Sequence, residues 1–342
     1  MTNPYMEAGR VASGDRFIGR ATLVRQVAEC WQAPGRPSNL RIVGLHRIGK
    51  SSLIRRALDE LPPRGDIITA CLNVGSQDSG MDLFRSMVRQ TIDQGPGDRE
   101  LVSIATAIQS ARAWYDLVEG VRAFFSEIHA RGRNVLVVLD EFDRAATAFT
   151  RQGQFQLLRD LASESRYSLG LITLSRRQIE KIEIDAAGGS ILGGVVSNAR
   201  YVGMFADAEA DIMLARAAAA GIGLASVRDQ IIAHTGLHPY LLELLCRRIL
   251  EIHDATGKID VDAAFAEESP VIEAYFGMLL EAVNTDMDGQ GAALLHRIAA
   301  GRPVGQEVMG LTQLRLLGII SGDGLFAAEF ARFITSSALD QG

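Results

Sequence analysis

Through the first two hundred residues, short and nearly continuous apolar runs alternate with amphipathic stretches. The runs are residues 40–43, "DIITACLNV" (66–74), "NVLVVLDEFD" (134–143), "LGLITLSRR" (169–177) and "ARYVGM" (199–204). Strands buried on both faces of a parallel sheet have this appearance, because both faces favour apolar residues. Between them, "DRFIGRATLVRQVAECWQ" (15–32) places Leu23, Val24, Val27 and Trp31 on one side of a helix, which "APGRPSN" (33–39) breaks. A further helix follows residue 51 and ends at "LPPRG". Residues 81–130 read as several helices with a polar break at "DQGPGD" (93–98), and "QFQLLRDLAS" (154–163) is helical. Alternating strands and helices predict an α/β domain with a parallel sheet, ending near residue 205.

Beyond that point the strand signal stops. "DAEADIMLARAAAAGIGL" and "VRDQIIAHTGLHPYLLELLCRRILEIHDATG" predict a small all-helical unit to about residue 267. Helices at 271–284, 291–300 and 311–317, then a two-stranded wing around Gly322–Gly324, predict a winged helix. The expected division is 1–205, 206–267 and 268–342.

Composition adds little to this fold but narrows the function. With 342 residues, 47% hydrophobic and 22% charged, the chain is globular and long enough for two or three domains. Its net charge of −6 provides no global positive field for nucleic acid or anionic lipid. No apolar run is long enough to cross a bilayer, and the start lacks a secretory pattern, so a cytoplasmic protein is expected. Cys30, Cys71 and Cys246 have no metal-ligand spacing, in keeping with reduced thiols. Of the 35 basic residues only Lys50, Lys181 and Lys258 are lysine. Lys258 lies in a polar turn, whereas Lys50 sits where chemistry is expected.

Gly44-x-x-x-x-Gly49-Lys50-Ser51 fits the phosphate-binding P-loop pattern between a strand and a helix. Glycines at 44 and 49 let the backbone curl, so that amides through His46, Arg47 and Ile48 face one anion, aided by the helix dipole. Lys50 would reach the β- and γ-phosphates as a compact point charge. Ser51 would give an oxygen to Mg²⁺, and Ser52 could donate to the α-phosphate. A magnesium nucleotide also needs a carboxylate on a neighbouring strand. Asp140 closes "VLVVLD" and would secure the metal, and Glu141 would orient or deprotonate an attacking water. Asp143 and Arg144 are expected to cap the next helix. Thr173, Ser175 and Arg176, at the end of the following strand, would lie near the γ-phosphate; Arg176 or Arg177 as simple surface charge is the competing reading.

"FIGR" (17–20), "GLHRIGKSS", "LDEFD", "LITLSRR" and "TGLHPYLLELLC", in this order, resemble the signal-transduction ATPases with numerous domains (STAND), a group of AAA+-related P-loop NTPases. The resemblance covers about residues 15–255. It implies an ASCE-type sheet, a helical lid and a winged helix around one ATP or ADP. It also implies that Gly19 and Arg20 lie near the adenine and phosphates, that Arg176 is a sensor arginine, and that His238 and Pro239 belong to a lid segment packed on the nucleotide. Two features depart from the family. "SGDGLFAAEF" has no histidine to hold the ADP state, and "YVGMFAD" has no proline where a GxP element is common. Arg200 is the candidate for an arginine finger.

Three functions follow. A nucleotide-gated switch would hydrolyse ATP slowly, self-associate with ATP, and act through separate effector or sensor chains, since no effector segment follows the winged helix. An ATP-dependent DNA-binding protein is the alternative. Residues 269–342 argue against it, with four arginines, no lysine and eight acids. A nucleotide-held scaffold without hydrolysis is the third, and Glu141 speaks against that.

Overall fold

The computed structural model describes residues 3–32, 34–60, 65–95, 98–302 and 310–337. Two compact units share the chain. The first comprises Arg20–Gly44 and Lys50–Tyr201. Its elements run α1 (Ala21–Gln32), β1 (Leu40–Gly44), α2 (Lys50–Asp59), β2 (Ile67–Asn73), α3 (Gly80–Gln94), α4 (Arg99–Ser110), α5 (Trp114–Ala130) and β3 (Asn134–Asp140). They continue with α6 (Ala145–Ala148), α7 (Gln152–Ser163), β4 (Leu169–Ser175), α8 (Ile179–Ala187) and β5 (Ala199–Val202).

The five strands form one sheet in the order β2-β3-β4-β1-β5. The pairs β2–β3, β3–β4 and β1–β4 are parallel. Every residue of β4 is buried, as is β3 up to its last residue, which accounts for their mainly apolar sequences. Helices cover the sheet, and within the core Phe84 stacks on Phe149, which meets Phe155 edge-on, with ring centroids 6.2 and 4.8 Å apart. Because β4 lies between β1 and β3, the carboxyl ends of all three collect at one edge. In open α/β sheets ligands bind at that edge.

Each predicted strand is present. α8 was not anticipated. The break expected at "LPPRG" and the turn expected before residue 311 fall largely outside the described residues, as does part of "DQGPGD".

The second unit gathers Met1–Gly19, Leu45–Gly49 and Val202–Gly342. Its elements are α9 (Asp207–Ala215), α10 (Arg228–Thr235), α11 (Pro239–Thr256), α12 (Val261–Asp286), α13 (Gly291–Ala299) and α14 (Leu311–Leu316). A hairpin of β6 (Ile320–Ser321) and β7 (Gly324–Leu325) follows, then α15 (Ala328–Ser337). Tyr5 and Ile18 lie in the core with Met213, Leu242, Leu245 and Ile249, and the Tyr5 hydroxyl donates to the Met213 carbonyl at 2.8 Å. Buried Glu268 of α12 receives Arg247 and Arg248 of α11 at 3.0 and 2.9 Å.

α12 begins ten residues earlier than the pattern predicts and runs through Pro270. A proline inside a helix leaves the carbonyl four residues back without its amide partner. Here that carbonyl is Ala266, and the Ser269 hydroxyl donates to it at 3.1 Å. The neighbouring side chain thus replaces the missing bond.

Candidate functional site

In the first unit, β1 delivers Gly44 at the carboxyl edge of the sheet, and α2 opens at Lys50. Helix amino termini present amides without intrahelical partners and the positive end of the dipole. The Lys50 ammonium donates to the Gly44 carbonyl at 2.8 Å. Burial pushes its pKa down to about 8; Arg176 adds to the fall, while Asp143, Asp140 and Glu141 oppose it. An amine stripped of water in this way gains much from an anion placed beside it.

Ser51, the next residue, donates from Oγ to Oδ2 of Asp140 at 2.5 Å. The other oxygen, Oδ1, accepts the Glu141 amide at 2.8 Å. A hydroxyl from the loop helix and a carboxylate from β3 therefore meet across 89 residues of sequence. An oxygen-only pair of this kind suits a hard cation such as Mg²⁺, which keeps most of its ligands as water and phosphate. No group of three or more His, Cys, Asp or Glu side chains able to hold a metal occurs among the described residues. A transition-metal centre thus has no cluster there, whereas Mg²⁺ with a nucleotide needs none.

Glu141 has φ 53° and ψ 40°, a left-handed conformation unusual for a residue with a Cβ. This turns its carboxylate toward Gly75, just beyond β2. A Cβ at Gly75 would lie 2.4 Å from Glu141 Oε2 and 3.0 Å from Asn73 Oδ1. Asn73, paired in register with Asp140, accepts the Gly75 amide at 2.7 Å. Asn73 and Gly75 were not singled out by the sequence, and only the sheet register brings them to Glu141.

Asp143 departs from expectation. It does not cap a helix; its two oxygens accept the amides of Arg176 and Arg177 at 2.8 and 3.0 Å, tying the end of β3 to the end of β4. Arg144 makes no side-chain cap on α6 either. Ser175 is buried and donates its hydroxyl to the Arg177 carbonyl at 2.7 Å. Thr173 is wholly buried, with no hydrogen-bond partner for its hydroxyl among the described residues. Arg177 pairs with Asp185 of α8. Arg176 has its charge within reach of Lys50. Arg20 opens the segment leading into α1 with φ 58°, and Ser52 is buried in α2. Arg200 donates to Asn198 Oδ1 at 2.6 Å and to the Ala199 carbonyl at 3.0 Å.

The second unit holds the remaining candidates. Gly19 has φ 61°, and the Glu209 carboxyl occupies the place a Cβ would take, 2.0 Å from it. Ile48 is fully buried, and Gly49 has φ 99°, open to glycine without cost. Arg47 is left-handed, with φ 54°, and its guanidinium lies 4.3 Å from the centre of the Tyr240 ring. The His46 carbonyl accepts from the Tyr275 hydroxyl at 3.0 Å. Pro239 opens α11, where its fixed φ fits the first turn. His238, just before it, is completely buried, with Nε2 2.7 Å from the Tyr275 hydroxyl.

No curated protein matches the chain. Residues 16–174 match the family model described as "AAA ATPase domain". Among solved structures, the chain is similar to the Walker-type ATPase PABY2304 of Pyrococcus abyssi, with TM-score 0.60 and 15% identity over 93% of this chain and 96% of that one. It is also similar to the ORC2 protein of Aeropyrum pernix, solved as ADPNP–ADP complexes, with TM-score 0.54 and 14% identity over 96% and 98%. The ORC1 protein of Aeropyrum pernix, solved in complex with DNA, gives TM-score 0.51 and 16% identity over 96% and 94%. Residues 16–174 thus carry the features of an AAA ATPase domain, and the chain takes the fold of the P-loop AAA+ ATPases.

Proposed function

We propose that the chain is an ATP-binding and slowly hydrolysing switch of the STAND/AAA+ type. Its nucleotide state would control the arrangement of a helical lid (206–267) and a winged helix (268–342), and with it self-association. Separate effector or sensor chains would carry the signal. The observation that most supports this reading is the convergence of Ser51 and Asp140, beside a buried Lys50 whose pKa is lowered to about 8. The order of α13, α14, the β6–β7 hairpin and α15 supports the winged-helix assignment.

In this reading the loop amides and Lys50 hold the phosphate tail. Ser51 and Asp140 would hold a magnesium ion, which would supply positive charge to the phosphate tail. Glu141 accepts a proton from the attacking water or orients it. Arg176, fixed at its amide by Asp143, senses the γ-phosphate. Loss of that group would remove contacts that exist only with ATP and favour another arrangement of the lid.

The test is phosphate release together with light scattering, each with ATP, with ADP and without nucleotide. Slow release and larger particles only with ATP are expected. Equal particle size in all three states would overturn the switch.

DNA binding is the second reading, favoured by the fold shared with ORC1 solved in complex with DNA. Its weakness is the acidic tail, with eight acids against four arginines in residues 269–342. Tight, salt-sensitive binding of a DNA duplex would put it first.

Gly75→Ala is a separate check on Glu141. The added methyl would displace the carboxylate, so hydrolysis is expected to fall about 10- to 100-fold, as for misplacement of a reacting group by about 1 Å. ATP affinity should stay within about twofold, because a neutral methyl touches no phosphate ligand. Unchanged phosphate release would count against Glu141 as the base.

A further inference from the structure

We infer that Tyr275, itself held by His238, is a positioning residue for the phosphate loop: it fixes the His46–Arg47 peptide with the Arg47 N–H turned toward the phosphates. The inference rests on the nucleotide-binding reading and adds to it a dependence of affinity on helices α11 and α12.

The argument begins with hydrogen-bond roles. A carbonyl can only accept, so the single phenolic proton of Tyr275 goes to His46 O at 3.0 Å. The contact at 2.7 Å with His238 Nε2 must then run the other way, with the ring N–H donating to the phenol oxygen. Burial pushes the Tyr275 pKa well above its ordinary range, so the hydroxyl remains a donor. His238 is wholly buried and Tyr275 nearly so, which leaves water little access to compete for either bond.

Peptide geometry supplies the next step. No cis bond occurs among the described residues, and in a trans peptide the C=O and the following N–H point in opposite directions. Anchoring the His46 carbonyl to Tyr275 therefore turns the Arg47 N–H to the other side. A flipped peptide would instead aim a carbonyl dipole at the anion.

A second anchor acts on the same peptide. The Arg47 guanidinium lies on the Tyr240 ring, and the backbone at Gly9, with φ 82°, closes on the pair so tightly that a Cβ there would lie 3.0 Å from Arg47 Nη1 and 3.2 Å from Tyr240. Tyr240 and Tyr275 neighbour each other, with ring centroids 6.1 Å apart. Arg47 holds a left-handed φ that needs support from its surroundings. One tyrosine thus fixes the carbonyl and the other the side chain that follows it.

The experiment compares ADP affinity by calorimetry, and hydrogen exchange of residues 45–49 in the nucleotide-free protein, for wild type and Tyr275→Phe. Phenylalanine removes only the hydroxyl. Affinity is expected to weaken roughly three- to tenfold, the size of one lost hydrogen bond, with faster exchange in the loop. Affinity within twofold of wild type and unchanged loop exchange would overturn the inference. If wild type binds no nucleotide, the functional reading fails; loop exchange then decides the anchoring alone, faster in the variant in support and unchanged against. Should Tyr275→Phe not fold, Tyr240→Leu, which leaves the Tyr275–His238 pair in place, is judged by the same two readouts.

Discussion

Lys50→Ala is expected to lose measurable binding of both ATP and ADP while the protein stays folded. Calorimetry on material with an unchanged circular dichroism spectrum is the measurement. The ammonium is buried and donates to the Gly44 carbonyl at 2.8 Å. In the proposed role it meets two phosphates carrying full charge. Truncating one member of a buried charged pair leaves the other without compensation, and affinity should fall roughly 10²- to 10³-fold. Folding is checked separately by the spectrum, because Lys50 also offsets the charges of Asp140, Glu141 and Asp143. Unchanged affinity would mean that Gly44–Ser51 is a turn closing a βα unit and nothing more.

Glu141→Gln is the second large effect. Glutamine keeps the size of the side chain and its approach to Gly75 but cannot take a proton. Hydrolysis is expected to fall about 10²- to 10⁴-fold, the usual range for a general base, with ATP still bound. The variant should accumulate in its ATP state and, under the switch reading, in the larger assembled form. Phosphate release measured beside light scattering separates the possibilities. If wild type and variant are equally inert while both bind ATP, the chain is a nucleotide-held scaffold.

Much of the sheet was legible because a strand covered on both faces is mainly apolar, as β3 and β4 are apart from Asn134, Asp140, Thr173 and Ser175. The glycine and lysine pattern of residues 44–51 was legible because it falls within one short stretch of chain. Helix α8 was missed for a local reason. Ile179 and Ile182 are buried, but Ile184 is half exposed and spoils the period. The start of α12 was missed because Pro270 reads as a stop, and nothing in the pattern reveals that the Ser269 hydroxyl supplies the missing bond.

Around the site, the unreadable features are those made by distance. Asp143 reaches amides 33 and 34 residues away, and its position next to a helix suggested a cap instead. Tyr275 reaches a carbonyl 229 residues away, and a tyrosine on a long helix carries no sign of such a role. His238 was noticed through its motif, whereas its pairing with Tyr275 requires the packing of α11 against α12.

The backbone of Glu141 has a further consequence. A residue with a Cβ held at φ 53° carries backbone strain that glycine would escape. Keeping an acid there sacrifices a little folding free energy to retain a carboxyl group at the rim of the sheet. Under the proposed function, that sacrifice keeps a proton acceptor where water would attack, a group that a scaffold merely held by its nucleotide would not need.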